Sequence, residues 1–178
     1  MKHKLFCTLG FMVVAVMGFA ANPAGAATAA GPYYATPSWD QTLPASTRFI
    51  DLTNMPGAVL DRETGLVWEK VPSTFGSWGN ASIHCVQLNL GGRKGWRLPT
   101  IQDLASLIDP NQSNPALPSG HPFTVLSSFF WSATSSAPGT TGAWGVNFSN
   151  GDVLNIFDKA ADILRTWCVR GGQGVDPQ

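Results

Sequence analysis

The chain has 178 residues, a length that suits one domain, and its 11 basic and 11 acidic side chains leave no net charge. That balance argues against a nucleic-acid-binding protein, because such proteins carry a basic surface. Only 12% of the residues are charged, about half the usual share, whereas Gly, Pro, Ser, Thr and Trp are plentiful. This composition is typical of an extracytoplasmic domain with long, ordered loops.

The first 26 residues predict a secretory signal peptide. Residues 2–4 are basic, residues 5–20 are almost wholly apolar, and Ala24-Gly25-Ala26 is a small-x-small cleavage site. The apolar run is short for a membrane span, which needs about 20 residues, so we expect no stable span after cleavage. An uncleaved anchor is the alternative. We therefore expect an exported protein, located in the periplasm, at the cell surface or outside the cell.

Residues 27–46 are rich in Ala, Pro, Ser and Thr without a period, and predict a linker or poorly ordered arm. The folded domain is expected over residues 47–172, followed by a short tail at 173–178. Its first clear element is a hairpin in the stretch AVLDRETGLVWEK. There Gly65 can take the positive φ of a turn, and Trp68 is expected in the core.

Two helices are predicted after the hairpin. The stretch SWGNASIHCVQLNLGG predicts the first helix, with Ser77 as its N-cap and Gly91-Gly92 as its end. Helical spacing places four apolar residues on one buried face: Trp78, Ala81, Cys85 and Leu88. The stretch LPTIQDLASLID predicts the second helix, capped by Thr100 with Asp103 three residues on, and stopped by Asp109-Pro110.

The rest of the chain predicts a long loop and four strands. Residues 111–124 are rich in Pro and polar residues, and loops of this length are usually functional or mobile. The stretch FFWSATSS predicts a strand, residues 143–149 alternate as a half-buried strand, and Asn150-Gly151 predicts a tight turn into a partner strand at 152–157. RTWCVRGG is predicted as one closing strand. Strands, two helices and further strands indicate an α+β fold.

Cys85 and Cys168 are the two cysteines of the expected mature chain. In an oxidising compartment such a pair normally forms a disulfide. The alternative is a reactive thiol at Cys85, next to His84. Because adjacent residues of a helix point to different faces, the disulfide is the favoured prediction.

One ordered set of residues runs through nearly the whole predicted domain: Asp61, Thr64-Gly65-Leu66, Trp68, Trp78, Ala81, Cys85, Leu88, Gly95-Trp96-Arg97-Leu98-Pro99-Thr100, Trp131-Ser132, Trp144 and Cys168-Val169-Arg170-Gly171-Gly172. In order and spacing, this set resembles the Lcl C-terminal domain family, which is named after the last domain of a bacterial collagen-like adhesin. The resemblance covers about residues 48–172.

The resemblance implies a C-type lectin-like fold, shared with formylglycine-generating enzymes. Two helices would pack on short antiparallel sheets, and a disulfide would link the cysteine of the first helix to the cysteine of the last strand. The fold presents ligands to its loops and late strands. The resemblance therefore implies a secreted or surface binding domain in bacteria, and leaves the ligand and any homo-oligomeric state open.

No catalytic residue, metal site or cofactor is expected. Lectins of this fold hold calcium through a Glu-Pro-Asn or Gln-Pro-Asp loop and a Trp-Asn-Asp strand, and neither tripeptide occurs in this sequence. Zinc is disfavoured because the expected mature chain has two histidines and no free thiol. His84 is expected on an exposed helix face and His121 in a proline-rich loop, and no nucleophile motif accompanies either residue.

The segment from Trp131 to Phe157 carries the predicted binding surface. It is rich in Ser, Thr, Asn, Gly and aromatic residues, a composition typical of adaptable binding surfaces. Its alternating aromatic residues are expected mainly in the core, which leaves the polar residues between them as the better contacts. The predicted ligand-binding residues are Ser132, Thr134, Trp144, Asn147, Ser149, Asn150, Asp152 and Asn155.

The predicted function is non-catalytic binding of, or adhesion to, a glycan or a protein. One alternative is a structural subunit of an envelope or fibre assembly. The other is a relative of the formylglycine-generating oxidases, which use a reactive cysteine pair. That alternative is disfavoured because both cysteines of the mature chain are assigned to the structural disulfide.

The corner formed by Trp96, Arg97, Pro99 and Thr100 is expected to be structural. Pro99 fixes the approach to the Thr100 cap, because its ring restricts the backbone. Arg97 is expected to be a buried brace, since a guanidinium can both stack on an aromatic ring and pair with a carboxylate. Asp109 and Asp61 are the expected partners.

Overall fold

A computed structural model describes residues 43–125, 127–137 and 139–171. The predicted signal peptide, nearly all of the predicted arm and the predicted tail lie outside these ranges. Within the ranges, no helix is long and apolar enough to cross a membrane. The elements in chain order are α1 (Ala45–Arg48), β1 (Phe49–Asp51), β2 (Ala58–Asp61), β3 (Val67–Glu69), β4 (Ser73–Gly76), α2 (Trp78–Gln87), β5 (Trp96–Arg97), α3 (Ile101–Ala105), β6 (Phe129–Ser135), β7 (Gly142–Asn147), β8 (Asp152–Asp158), β9 (Leu164–Thr166) and β10 (Val169–Arg170).

Two five-stranded sheets form the domain. The first has the strand order β1-β2-β3-β10-β5, and the second has the order β4-β9-β6-β7-β8. Neighbouring strands are antiparallel except β6 and β9, which are parallel. Helix α2 contacts strands of both sheets, whereas α3 contacts β6 and β7 of the second sheet. The prediction of a mixed α+β fold with a disulfide is confirmed.

The hairpin of β2 and β3 forms where the sequence predicts it. The Asp61 N–H donates to the Leu66 carbonyl at 2.8 Å, and the Gly65 N–H donates to the Asp61 carbonyl at 2.8 Å. Gly65 has a φ of 71°, a conformation that glycine adopts without a steric penalty. Trp68 of β3 is fully buried, as predicted.

Helix α2 begins as predicted but ends earlier. The Ser77 hydroxyl accepts a hydrogen bond from the Asn80 N–H at the cap, and the predicted face with Cys85 packs into the core. The helix ends at Gln87, so the prediction that Gly91-Gly92 ends it is wrong. Both glycines have positive φ and form a turn that pairs Leu90 with Arg93. Two successive positive φ values suit a tight hairpin turn better than a helix end.

Helix α3 carries the predicted capping box. The Thr100 hydroxyl accepts from the Asp103 N–H at 3.1 Å, and the Asp103 carboxylate accepts from the Thr100 N–H at 2.9 Å. The helix ends at Ala105, earlier than predicted. Leu107 is still fully buried, because its N–H bonds three residues back to Leu104 and the chain continues as a tight turn.

The prediction of one closing strand at RTWCVRGG is wrong. Strand β9 pairs with β4 and β6 in the second sheet, and β10 pairs with β3 and β5 in the first sheet. Trp167 and Cys168 lie between the two strands and enter different core clusters. The local sequence predicts one continuous strand. The chain passes from the second sheet to the first because strands that are distant in sequence pair with each half.

Two hydrophobic clusters form the core. The first surrounds Trp167, whose ring centroid lies 5.0 to 5.6 Å from those of Trp68, Phe123, Phe130 and Phe148. The second cluster holds the disulfide together with Trp96, Trp131 and Leu164. Four short elements, α1, β1, β4 and β5, have no counterpart in the sequence prediction.

Candidate functional site

An open, almost wholly apolar groove of about 330 Å³ lies between α3 and the second sheet. Six residues line this Trp144 groove: Ile101, Gln102, Ala105, Thr134, Trp144 and Val153. The three residues from α3 form one wall of the groove. The opposite wall consists of one residue each from β6, β7 and β8. The capping box of α3 therefore sets the orientation of this wall.

Two of the predicted ligand-binding residues line the Trp144 groove, and a third, Ser132, is buried in the second sheet. Trp144 is only half-buried, so its indole presents apolar surface to the groove. The Thr134 hydroxyl accepts from the Ile101 N–H at 2.9 Å, which ties β6 to the start of α3. Ser132 is 0% exposed, and its hydroxyl donates to the Trp144 carbonyl at 2.8 Å. The prediction of Ser132 as a surface contact is therefore wrong, because its hydroxyl is used inside the sheet.

The predicted residues at the β7–β8 turn are tied to one another. The Asn147 side-chain oxygen accepts from the Ser149 N–H at 2.9 Å. Asn150 donates from its amide to the Asp152 carboxylate at 2.6 Å and accepts from the Asp152 N–H at 3.2 Å. Asn150 and Asp152 are exposed at the end of the hairpin, whereas Asn147 and Ser149 are half-buried. These residues adjoin the strands of the groove and are absent from its lining.

Strand β8 bulges opposite Trp144. Between two ladder pairs, β7 has the single residue Trp144, whereas β8 has two residues, Asn155 and Ile156. Asn155, one of the predicted ligand-binding residues, is exposed, and Ile156 is 72% exposed. Val153 on the same strand is also exposed and lines the groove.

Sequence reasoning missed the apolar members of this surface. Val153 and Ile156 are three residues apart, so they do not follow the two-residue period of a regular strand. That break in the period is the available signal for a bulge that exposes both residues. Ile101 and Gln102 have no comparable signal, because only the packing of α3 on the sheet brings them to the groove.

The corner before α3 is structural, with different partners from those predicted. Arg97 donates to the Asp103 carboxylate at 2.7 Å and to the Gly171 carbonyl at 3.1 Å. The prediction of Asp109 or Asp61 as its partner is wrong, because Asp103 of the capping box lies nearer along the chain. Arg97 is also 21% exposed and is therefore not fully buried.

A second group of polar residues surrounds the disulfide. Cys85 and Cys168 form the predicted bond, and both are fully buried. His84, predicted on an exposed face, is half-buried instead, and its Nε2 lies 2.5 Å from the Ser73 hydroxyl. Glu69 accepts from that hydroxyl at 3.4 Å and from the Cys168 N–H at 3.3 Å. We call these five residues the disulfide cluster.

Burial makes the Glu69 carboxyl a weaker acid than usual. Desolvation raises the pKa of its carboxyl to about 7, and the hydrogen bonds from the Cys168 N–H and Ser73 only partly oppose this effect. Burial lowers the pKa of His121, whose Nδ1 accepts from the Phe123 N–H at 3.2 Å. His121 also stacks on Phe123, so its ring has a structural role in the loop.

Metal-ligating atoms converge within the disulfide cluster. One donor atom each of Glu69, His84 and Cys168 lies within 4.8 Å of the other two. In the disulfide-bonded protein the Cys168 sulfur is not a thiolate, which leaves one imidazole and one carboxylate as effective donors. Sequence reasoning missed this group because its members come from β3, α2 and the segment between β9 and β10.

A comparison with known families settles the family of this chain. The family model of the Lcl C-terminal domain matches residues 57–170, well over half of the sequence. The chain belongs to the Lcl C-terminal domain family. No curated protein matches the chain.

The Lcl C-terminal segment contains both sites. It includes every residue of the Trp144 groove and of the disulfide cluster, together with β2 to β10. Helix α1 and strand β1 precede the matched segment, yet Arg48 of α1 pairs with Asp61 inside it. The Lcl C-terminal domain assignment confirms the predicted family and identifies no ligand.

Proposed function

We propose that the protein is an exported, non-catalytic binding module that holds a protein ligand in the Trp144 groove. The observation that carries the proposal is the half-buried Trp144 indole in an open apolar groove. Ligand sites are concave and mainly apolar, with a few polar groups that fix orientation. Ile156 extends the apolar surface beyond the groove, where a ligand side chain can cover it.

The chemistry of the surface favours a protein over a glycan. Sugar hydroxyls need several polar groups around an aromatic ring, whereas four of the six groove residues are apolar. The nearby polar atoms of Thr134, Ser132 and Asn147 already make hydrogen bonds within the protein. A glycan is the second candidate, supported by the Trp144 indole, on which a sugar ring can stack.

The same proposal includes the C-type lectin-like fold and export. The disulfide from α2 to the segment before β10 supports the fold, because the resemblance implies that pairing. The groove on α3 and the late strands agrees with the ligand surface expected for this fold. Export is supported by the leader-like sequence at residues 1–26 and by a disulfide, which persists in oxidising compartments.

Two parallel selections test the proposal on the purified protein. A displayed library of random peptides tests for protein ligands, and a glycan array, run with calcium and with a chelator, tests for sugars. We expect peptides with apolar or aromatic side chains, whose affinity falls at least tenfold in Trp144→Ala. Ile83→Ala is the control, since Ile83 is 56% exposed on α2 and does not line the groove.

The outcomes separate the candidates. If the selected peptides bind Trp144→Ala with the same affinity as they bind the original protein, the Trp144 groove is not the binding site. Glycan binding that depends on Trp144 would replace the protein ligand by the second candidate, and a loss of that binding with chelator would identify a calcium requirement.

A structural subunit is the alternative from a different class. Its support is β8, an edge strand of the second sheet that exposes Val153 and Ile156. The bulge in β8 opposes simple edge-to-edge pairing, because it interrupts the row of free backbone groups. Concentration-dependent assembly in sedimentation experiments, abolished by Ile156→Lys, would support this alternative over a monomeric binder.

The oxidase alternative has the least support. It needs a reactive cysteine pair, and Cys85 and Cys168 are joined in a fully buried disulfide. A thiol titration of the native protein tests this point, because titratable Cys85 and Cys168 would favour the oxidase or a metal site.

A further inference from the structure

The disulfide cluster brings together the three kinds of donor that bind zinc in proteins. Glu69 comes from β3, His84 from α2 and Cys168 from the segment between β9 and β10. Their donor atoms lie within 4.8 Å of one another. His84 is half-buried, so part of this residue is exposed to solvent, whereas Glu69 and Cys168 are buried. The cluster shares no residue with the Trp144 groove, so a metal site there is independent of the proposed function.

We propose that opening the Cys85–Cys168 disulfide converts this cluster into a zinc site made by Cys168, His84 and Glu69. A dithiol reductant supplies the two electrons by thiol–disulfide exchange, and its own two sulfurs become a disulfide. Both cysteines of the protein leave this exchange as thiols. Zinc then displaces the Cys168 proton to solvent, and a protonated Glu69 also releases its proton, because the thiolate and the carboxylate are the forms that bind the metal.

The geometry requires only a small contraction. Zinc binds sulfur at ~2.3 Å and nitrogen or oxygen at ~2.0–2.2 Å, which places tetrahedral donor atoms roughly 3.3 to 3.7 Å apart. Donors within 4.8 Å therefore need shifts of about 1 Å. The Ser73 hydroxyl contacts both Glu69 and His84, so it lies beside two of the side chains that would bind the ion.

The charges also suit a buried site. One zinc ion, one thiolate and one carboxylate sum to zero, and the His84 ring binds as a neutral group. Buried charges are tolerated when they are paired or coordinate a metal. In the disulfide-bonded protein this compensation is missing, because the Cys168 sulfur carries no charge. The disulfide therefore acts as a gate that decides whether the site exists.

Two cysteine variants test the proposal without any reductant. Cys85→Ser leaves the Cys168 thiol in the cluster, whereas Cys168→Ser leaves the Cys85 thiol. Both variants lose the same disulfide, so they share its effect on stability. Cys85 adjoins His84 on α2, and adjacent helix residues point about 100° apart, which opposes binding of one ion by both. Both variants carry Cys7→Ser in the full chain, so that Cys7 offers no competing thiol.

Cobalt(II) is the probe, because it replaces zinc and shows a thiolate-to-metal charge-transfer absorption. We expect Cys85→Ser to show this absorption and to bind cobalt at least tenfold more tightly than Cys168→Ser. Zinc should displace the cobalt. Adding His84→Ala or Glu69→Gln to Cys85→Ser should weaken binding at least tenfold, whereas adding His121→Ala should leave it unchanged.

Thermal unfolding supplies an independent readout. Zinc should raise the Tm of Cys85→Ser and leave the Tm of Cys168→Ser unchanged, because binding to the folded state alone stabilises it. If Cys85→Ser is unfolded without metal, zinc should restore its structure. Equal binding by the two cysteine variants, no charge-transfer absorption in Cys85→Ser, or no effect of His84→Ala would each overturn the proposal.

Discussion

Arg48 is a fully buried arginine whose charge is matched inside the protein. Its guanidinium makes two hydrogen bonds to the Asp61 carboxylate, at 2.9 and 2.8 Å, and one to the Ser106 carbonyl at 2.8 Å. Glu63 forms a second ion pair with it at 3.1 Å. The bond to Ser106 anchors the chain after α3, so this residue helps to hold the Trp144 groove in place.

Asp61→Ala should destabilise the protein by about 3–5 kcal/mol, because it leaves much of the buried Arg48 charge uncompensated. Asp51→Ala is the matched control, since Asp51 pairs with Lys70 at an exposed site. Exposed pairs contribute about 1 kcal/mol or less. Urea unfolding of both variants measures the difference, and equal losses would show that the buried pair has no special role.

The raised pKa of Glu69 predicts a stability that falls as the pH rises. The carboxyl titrates near 4.5 in the unfolded chain and at about 7 in the folded protein. Between these values the folded protein keeps a proton that the unfolded chain has released, so the free energy of unfolding decreases with increasing pH. The full effect is about 3 kcal/mol.

Glu69→Gln should remove this dependence. Urea unfolding with a chelator, at about pH 5 and about pH 8, measures the loss of stability across the window. The loss should be smaller in Glu69→Gln than in the original protein. Burial lowers the pKa of His121. His121 is present in both proteins, so its contribution to the pH dependence cancels in the difference. An unchanged slope would mean that Glu69 has an ordinary acidity.

At the scale of elements, β7 needs a glycine where it lies between β6 and β8 of the second sheet. A Cβ atom on Gly145 would lie 2.7 Å from the Phe130 carbonyl oxygen and 3.0 Å from the Phe157 ring. Because Gly145 has no side chain, the Phe157 ring packs closely against it, next to the β8 bulge opposite Trp144. The shape of the proposed binding surface therefore depends on a residue without a side chain.

Gly145→Ala should cost about 1–3 kcal/mol, because overpacking forces the backbone of β6 or the Phe157 ring to move. Gly79→Ala is the control, since a Cβ atom there would meet nothing within 4 Å on α2. It should be neutral or should stabilise the protein by up to about 1 kcal/mol, because alanine favours helix. Comparable thermal unfolding of the two variants would contradict the close contact at Gly145.

At the scale of the whole molecule, one disulfide joins α2 to the crossing between the two sheets. It closes a loop of 83 residues that contains β5, α3 and most of the second sheet. The loop thus includes every residue of the Trp144 groove. Long closed loops lose the most entropy in the unfolded chain, so this bond stabilises the fold that carries the groove.

Replacing both Cys85 and Cys168 by Ser should lower the free energy of unfolding by roughly 4–5 kcal/mol. Urea unfolding of the double variant and of the original protein, both metal-free, gives the comparison. Ligand affinity, once a ligand is known, should change much less than stability in conditions where the variant stays folded. A loss below about 1 kcal/mol would show that other contacts already restrict the loop.

The sequence alone determined the features that depend on short-range chemistry. The β2–β3 hairpin follows from the positive φ of Gly65, and the start of α3 follows from the reciprocal bonds of Thr100 and Asp103. The disulfide follows from two cysteines in an expected oxidising compartment. The family follows from an ordered set of residues. Each of these depends on neighbours in the chain or on a count that needs no coordinates.

Tertiary structure decided the features that depend on distant partners. The closing segment divides at Trp167 and Cys168 because β4 and β6 pair with its first part, whereas β3 and β5 pair with its second part. Ser132 is buried between β7 and α2. Its hydroxyl donates to the Trp144 carbonyl of β7, and its carbonyl accepts from the Trp78 indole of α2. The Trp144 groove and the disulfide cluster each join residues far apart in sequence. A local sequence pattern does not indicate which distant elements pack together.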